Sequence, residues 1–191
     1  MHNNTRLALQ KYPISMRLLH WSRAVLILGL ILSGWYMTGL PEDTTSNETF
    51  GFFYGNHKQF GVLVWLLALV HVAIRWQNRK VLPHTPESLT RFEKALSHVV
   101  HRLIILLVFV VPMLGYLMSA TFTQSAGVPF FFFGYLPEFL PKNDDAFEVF
   151  DTLHMYSAYI LLALIILHVI GTIKHRLEGK NGEADVLPRM L

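Results

Sequence analysis

Four stretches of this chain contain no Asp, Glu, Lys or Arg: residues 24–41, 59–74, 103–137 and 152–173. That pattern constrains the fold more than any motif, because a charge-free run of this length has to be removed from water. Trimmed at turn residues, the first, third and fourth runs predict helices over about 18–38, 98–120 and 154–173. The second extends through its flanks to about 57–76. Each approaches the roughly 20 residues that a bilayer-crossing helix needs. Buried helices of a soluble protein are disfavoured by the same length rule. Only 15% of the 191 residues are charged, where a soluble domain carries about a quarter. Gly29, Gly34, Pro112 and Gly115 interrupt the runs, but neighbouring helices accommodate such residues in membranes. The expected fold is all-α, an integral membrane four-helix bundle forming one domain over 1–191.

Charge then orients the bundle. Arg6, Lys11, Arg17 and Arg23 precede or open the first span, and Arg75, Arg79, Lys80, Arg91, Lys94 and Arg102 surround the connection between spans two and three. Lys174, Arg176, Lys180 and Arg189 follow the fourth. The other side holds Lys58 and Lys142 against Glu42, Asp43, Glu48, Glu138, Asp144, Asp145, Glu148 and Asp151. The positive-inside rule therefore predicts both termini and the middle loop in the cytoplasm. The net charge of +3 is a topology signal with phospholipid contacts, and no nucleic-acid partner is expected. The first span follows a long polar leader without a small-x-small cleavage site, so it reads as a retained anchor.

Residues 39–56 read as a solvated outer turn. Residues 121–150 carry Phe130, Phe131, Phe132, Phe133, Tyr135 and Phe139 among prolines, which favours an interfacial aromatic belt over a lid or docking surface. Lys58 and Lys142 are the outer cations; they read as solvated charges in an acidic field in preference to an anion attractor.

The chain has no cysteine, which excludes disulfides, thiolate metal sites and covalent c-type haem attachment. It has ten histidines, and intramembrane histidine is costly and functional by default. His57 and His71 on span two are 14 residues apart, as are His154 and His168 on span four. Fourteen steps of about 100° fall about 40° short of four turns, so each pair shares a face. Along the axis the separation is about 21 Å. Opposed imidazoles at two depths suit two stacked b-type haems, each with two axial histidines. Their edges would then be on the order of 10 Å apart, a short tunnelling distance. Gly61 and Gly171 lie near these ligands, either to admit a flat macrocycle or to serve close helix packing. At the inner depth, spacing leaves His20 and His71 as rivals. His98-x-x-His101 lacks the acidic partner of a standard zinc site; it could add a ligand, contact a quinone head or be an ordinary interfacial pair. No nucleotide loop or nucleophile elbow is present.

Several short motifs, in order, then resemble the bacterial cytochrome b561 family, which includes superoxide oxidases. They are Arg17-Leu-Leu-His20-Trp21 with Thr38-Gly39; His57-x3-Gly61; Ala95-Leu-Ser-His98-x2-His101; Pro112-Met-Leu-Gly115; Phe133-Gly134-Tyr-Leu-Pro137; and His154, His168, Lys174-His175 and Asp185-Val-Leu-Pro-Arg189-Met190. The resemblance spans nearly the whole chain. It implies two haems b, with His57 and His154 as outer iron ligands and His20 and His168 as inner ones. Arg17 and Arg75 are candidate propionate contacts. His71 and Ile105 depart from the family, where arginine and tyrosine are common. The implied function is a quinone-linked oxidoreductase of the bacterial inner membrane, passing electrons from an outer donor such as superoxide, or a periplasmic redox protein, to ubiquinone. An electron-carrying cytochrome b subunit for a docked dehydrogenase or hydrogenase is the alternative, and a haem-free transporter a third.

Overall fold

The computed structural model describes residues 10–40, 48–86, 88–178 and 185–191. Arg6, Glu42, Asp43 and Lys180, used above for orientation, lie outside them. Four helices account for most of the described chain: α1 (Ile14–Thr38), α2 (Glu48–Gln77), α3 (Arg91–Thr121) and α4 (Asp144–Glu178). All four are long and apolar enough to cross a membrane. Short 3-10 turns follow at Phe131–Phe133 and Leu187–Arg189. The described residues contain no strand, only an isolated antiparallel bridge between Pro129 and Tyr135.

Every helix begins before its charge-free window, and residues 48–56, expected as a solvated turn, are the first turns of α2. Charged residues stop a hydropathy window without stopping a helix, because a helix can project beyond the apolar slab into water. The start of α3 shows how. The Thr90 hydroxyl accepts from the Glu93 amide at 3.2 Å, and the Glu93 carboxylate accepts from the Thr90 amide at 2.9 Å. This capping box satisfies two otherwise orphaned groups and moves the helix start seven residues ahead of the expected His98. Lys174 of α4 adds an ion pair to Glu93 at 2.6 Å.

Packing runs α1 on α2, α2 on α3 and α3 on α4. The core is a single cluster at mid-height, in which Ile27, Val64, Ala68, Val108 and Leu161 supply at least one residue from each helix. These residues mark a shared seven-residue repeat. Reading each helix seven steps either side of its core residue gives His20–Ile27–Gly34, His57–Val64–His71, His101–Val108–Gly115 and His154–Leu161–His168. Steps of seven keep to one face with a drift of about 20°. The faces meeting in the core therefore carry histidine or glycine on both sides of it.

One end of the bundle is basic and the other acidic. At the basic end, residues 10–12, the α2–α3 connection and the C-terminal residues clasp one another. The Tyr12 amide donates to the Arg189 carbonyl at 3.0 Å, and the Trp21 indole to the Met190 carbonyl at 2.9 Å. Arg189 donates to the His84 carbonyl at 2.6 Å, and Gln10 to the Val81 carbonyl at 3.1 Å. At the acidic end the α3–α4 connection is pinned to α2. Gln59 accepts from the Phe131 amide at 3.0 Å, and that residue takes a positive φ of 47°. Phe132 and Phe139 stay more than four-fifths exposed.

Candidate functional site

At the acidic end, His57 of α2 faces His154 of α4, with ring centres 6.2 Å apart. Each ring is seated on the preceding helix. The His57 Nδ1–H donates to the Ser33 hydroxyl at 3.0 Å, and Ser33 in turn donates to the Leu30 carbonyl at 3.0 Å. The His154 Nδ1–H donates to the Val111 carbonyl at 2.9 Å. The Val111 carbonyl can only accept, which places the His154 proton on Nδ1 and leaves its Nε2 with a free lone pair; His57 takes the same tautomer when the Ser33 hydroxyl keeps its proton on the Leu30 carbonyl. Glycine is needed for the His154 seat, whereas the His57 seat would tolerate a Cβ. A Cβ on Gly34 would touch His57 Cε1 at 3.5 Å, and one on Gly115 would press on His154 Cε1 at 3.0 Å. Pro112-Met-Leu-Gly115 thus has a local purpose: it clears a notch in α3 for the His154 ring.

At the basic end, His20 of α1 faces His168 of α4 at 6.3 Å. These rings are held by ring contacts. Trp21 meets His20 edge-on at 5.3 Å, and His101 meets His168 edge-on at 4.9 Å. His101 donates through Nδ1 to the Ser97 carbonyl at 2.6 Å. His71 is buried, its Nδ1 has no hydrogen-bond partner among the described residues, and it lies within electrostatic reach of Arg23, Arg75 and His20. Arg17 Nε is likewise buried without a partner among the described residues. Arg75 and His98 are exposed.

The pairs fit a haem iron on geometry. Two imidazoles bonded across one metal, each with a metal–nitrogen distance of about 2.0–2.1 Å, have ring centres about 6.3 Å apart. Both observed separations match. The His101–His168 distance is too short for that arrangement, so His101 is a neighbour of the pair and not its opposing member. The unpartnered His71 Nδ1 and Arg17 Nε supply polar groups at the basic-end pair, as a propionate-bearing ring requires.

The sequence model of the family described as prokaryotic cytochrome b561 matches residues 11–191. The chain belongs to the prokaryotic cytochrome b561 family. It is accordingly a multi-pass membrane protein that carries electrons across the membrane through haem b. No curated protein matches the chain at the level that marks a relative.

Two readings change with the structure in view. Lys58 is no solvated charge: its ammonium donates to the Ser125 hydroxyl at 3.3 Å and the Gly127 carbonyl at 3.2 Å, tying the outer connection to α2. Lys142, by contrast, stays exposed as expected, beside Glu138 at 2.7 Å. Among the described residues, Gly61 and Gly171 have nothing within 4 Å of a would-be Cβ, so close helix packing does not explain them. Ser33 and Val111 were missed because their partners lie 24 and 43 residues away. A serine hydroxyl within the apolar run, next to Gly34, was the available signal.

Proposed function

We propose that this family member is a stand-alone quinone-linked oxidoreductase of the bacterial inner membrane, taking single electrons from an outer donor such as superoxide and delivering them to ubiquinone. The observation that carries the reading is the pair of facing histidine sets at two depths, 6.2 and 6.3 Å between ring centres. In this reading the acidic end faces outward and the basic end faces the cytoplasm, following the positive-inside rule.

His57 and His154 would hold the outer haem, and His20 and His168 the inner one. Haem b supplies a reversible one-electron couple at each depth. The protein's part is to hold four Nε2 lone pairs at fixed depth, which keeps reorganisation small. About 21 Å of helix separates the two levels, and the apolar layer of Ile27, Val64, Val108 and Leu161 between them excludes water. Arg17 and Arg75 neutralise propionates at the inner level, and His71 hydrogen-bonds a propionate or hands a proton toward quinone. The balance is two superoxide anions oxidised to two dioxygen molecules, with ubiquinone taking two electrons and two protons to become ubiquinol.

The test is stopped-flow mixing of superoxide with purified two-haem protein in nanodiscs containing ubiquinone. Haem reduction followed by ubiquinol formation, with no other protein present, is the expected result. Reduction that appears only when a partner dehydrogenase or hydrogenase is added would overturn the reading in favour of an electron-carrying subunit.

A further inference from the structure

The two ends of the bundle hold their histidines differently. At the acidic end both Nδ1 atoms donate to oxygen: His57 to the Ser33 hydroxyl at 3.0 Å, His154 to the Val111 carbonyl at 2.9 Å. At the basic end neither His20 nor His168 has a hydrogen-bond partner for its ring among the described residues; the rings are braced by Trp21 and His101. The seven-residue repeat shows how this arises. Gly34 and Gly115 occupy the acidic-end positions whose counterparts at the basic end are His20 and His101. Gly115 lets the His154 ring come down onto the α3 backbone, whereas at the basic end the His101 imidazole stands against His168 instead.

A hydrogen bond from Nδ1 to oxygen draws the proton away from the ring and makes the imidazole a stronger electron donor through Nε2. A stronger donor stabilises the more highly charged, oxidised iron and lowers the reduction potential. Fixed charge acts in the same sense. Asp151 lies within electrostatic reach of His154, whereas Arg23 reaches His20 and both Arg23 and Arg75 reach His71. Anions near an iron favour its oxidised form, and cations favour the reduced form. Lys58 beside His57 opposes this trend, but Glu138 acts back on it and its ammonium is committed to Ser125 and Gly127.

We propose that Ser33 and the Val111 carbonyl are tuning groups that set the acidic-end haem at a lower potential than the basic-end haem, so that the fold itself gives transmembrane electron flow its direction. The proposal rests on the ligand assignment of the preceding subsection. In the step it describes, one electron leaves reduced iron at the acidic end and reduces oxidised iron at the basic end; no bond forms or breaks and no proton moves. Ser33 acts through His57 and is a positioning residue.

The experiment is an optical redox titration of the purified two-haem protein. His154→Ala, which removes the acidic-end haem, identifies which step is which, and the step it removes is expected to be the lower one. Ser33→Ala is expected to raise the lower midpoint and leave the upper one in place. Ser33→Thr, which keeps a hydroxyl, retains the wild-type lower midpoint. Should Ser33→Ala not fold, Arg23→Gln provides an independent reading, lowering the upper midpoint without moving the lower. Loss of the upper step in His154→Ala, or an unmoved lower midpoint in folded Ser33→Ala, would overturn the proposal while leaving the ligands intact. Retention of both haems in His154→Ala would instead overturn the ligand assignment.

Discussion

Replacing Gly115 with alanine tests the notch that seats His154. The added Cβ would lie 3.0 Å from Cε1 and 3.2 Å from Nδ1 of that ring, inside the roughly 3.5–4.0 Å of comfortable contact. The ring has little room to yield. Its Nδ1 is bound to the Val111 carbonyl at 2.9 Å, and it faces His57 across 6.2 Å. Forcing an extra methyl into a packed site costs about 1–3 kcal/mol. Turning the ring aside to relieve the clash gives up a hydrogen bond of net value about 0.5–1.5 kcal/mol. The two costs are alternatives, so the expected penalty stays at about 1–3 kcal/mol, or a 5- to 150-fold loss of affinity for the acidic-end haem. Haem-to-protein ratio, measured by pyridine haemochrome during titration with limiting haem, reads this directly. The acidic-end haem should be lost first while the basic-end spectrum persists. Gly51→Ala is the comparison, because among the described residues nothing lies within 4 Å of its would-be Cβ, and it should keep both haems. Wild-type affinity and an unchanged low-spin spectrum in Gly115→Ala would refute the reasoning.

Other perturbations separate the remaining roles. His20→Ala should abolish the basic-end low-spin spectrum, whereas His71→Ala should leave both haems bound; loss of that haem only in the His71 variant would reassign the ligand. Trp21→Phe removes the indole donor to the Met190 carbonyl, worth about 0.5–1.5 kcal/mol. Limited proteolysis should then cut the C-terminal residues faster with two haems still bound, and an unaltered cleavage rate would show that the clasp does not depend on this bond. Thr90→Ala breaks the capping box of α3 and should cost about 0.5–2 kcal/mol. That would appear as a lower thermal midpoint in detergent with unchanged haem spectra; an unchanged midpoint would mean the cap contributes nothing.

Much of this protein follows from composition along the chain. The four spans were legible because hydrophobic burial is proportional to apolar area and insensitive to detailed partners, so the absence of charge marks them. The two depths were legible too, because helical rise and phase convert the 14-residue spacing of His57 with His71 and His154 with His168 into height and face. Phase within one helix says nothing about azimuth between helices. That is why spacing could not choose between His20 and His71, and why only the packed bundle sets the His20 ring 6.3 Å from His168 while leaving His71 buried beside them. The same limit hid the supports. Ser33 reaches His57 across 24 residues, Val111 reaches His154 across 43, and Trp21 reaches Met190 across 169. A hydrogen bond falls off over tenths of an ångström and a few tens of degrees, so its partner is chosen by where whole helices come to rest. Burial could be read from local chemistry. The seating of each imidazole, and with it the difference between the two ends, depends on distances that only the assembled helices define.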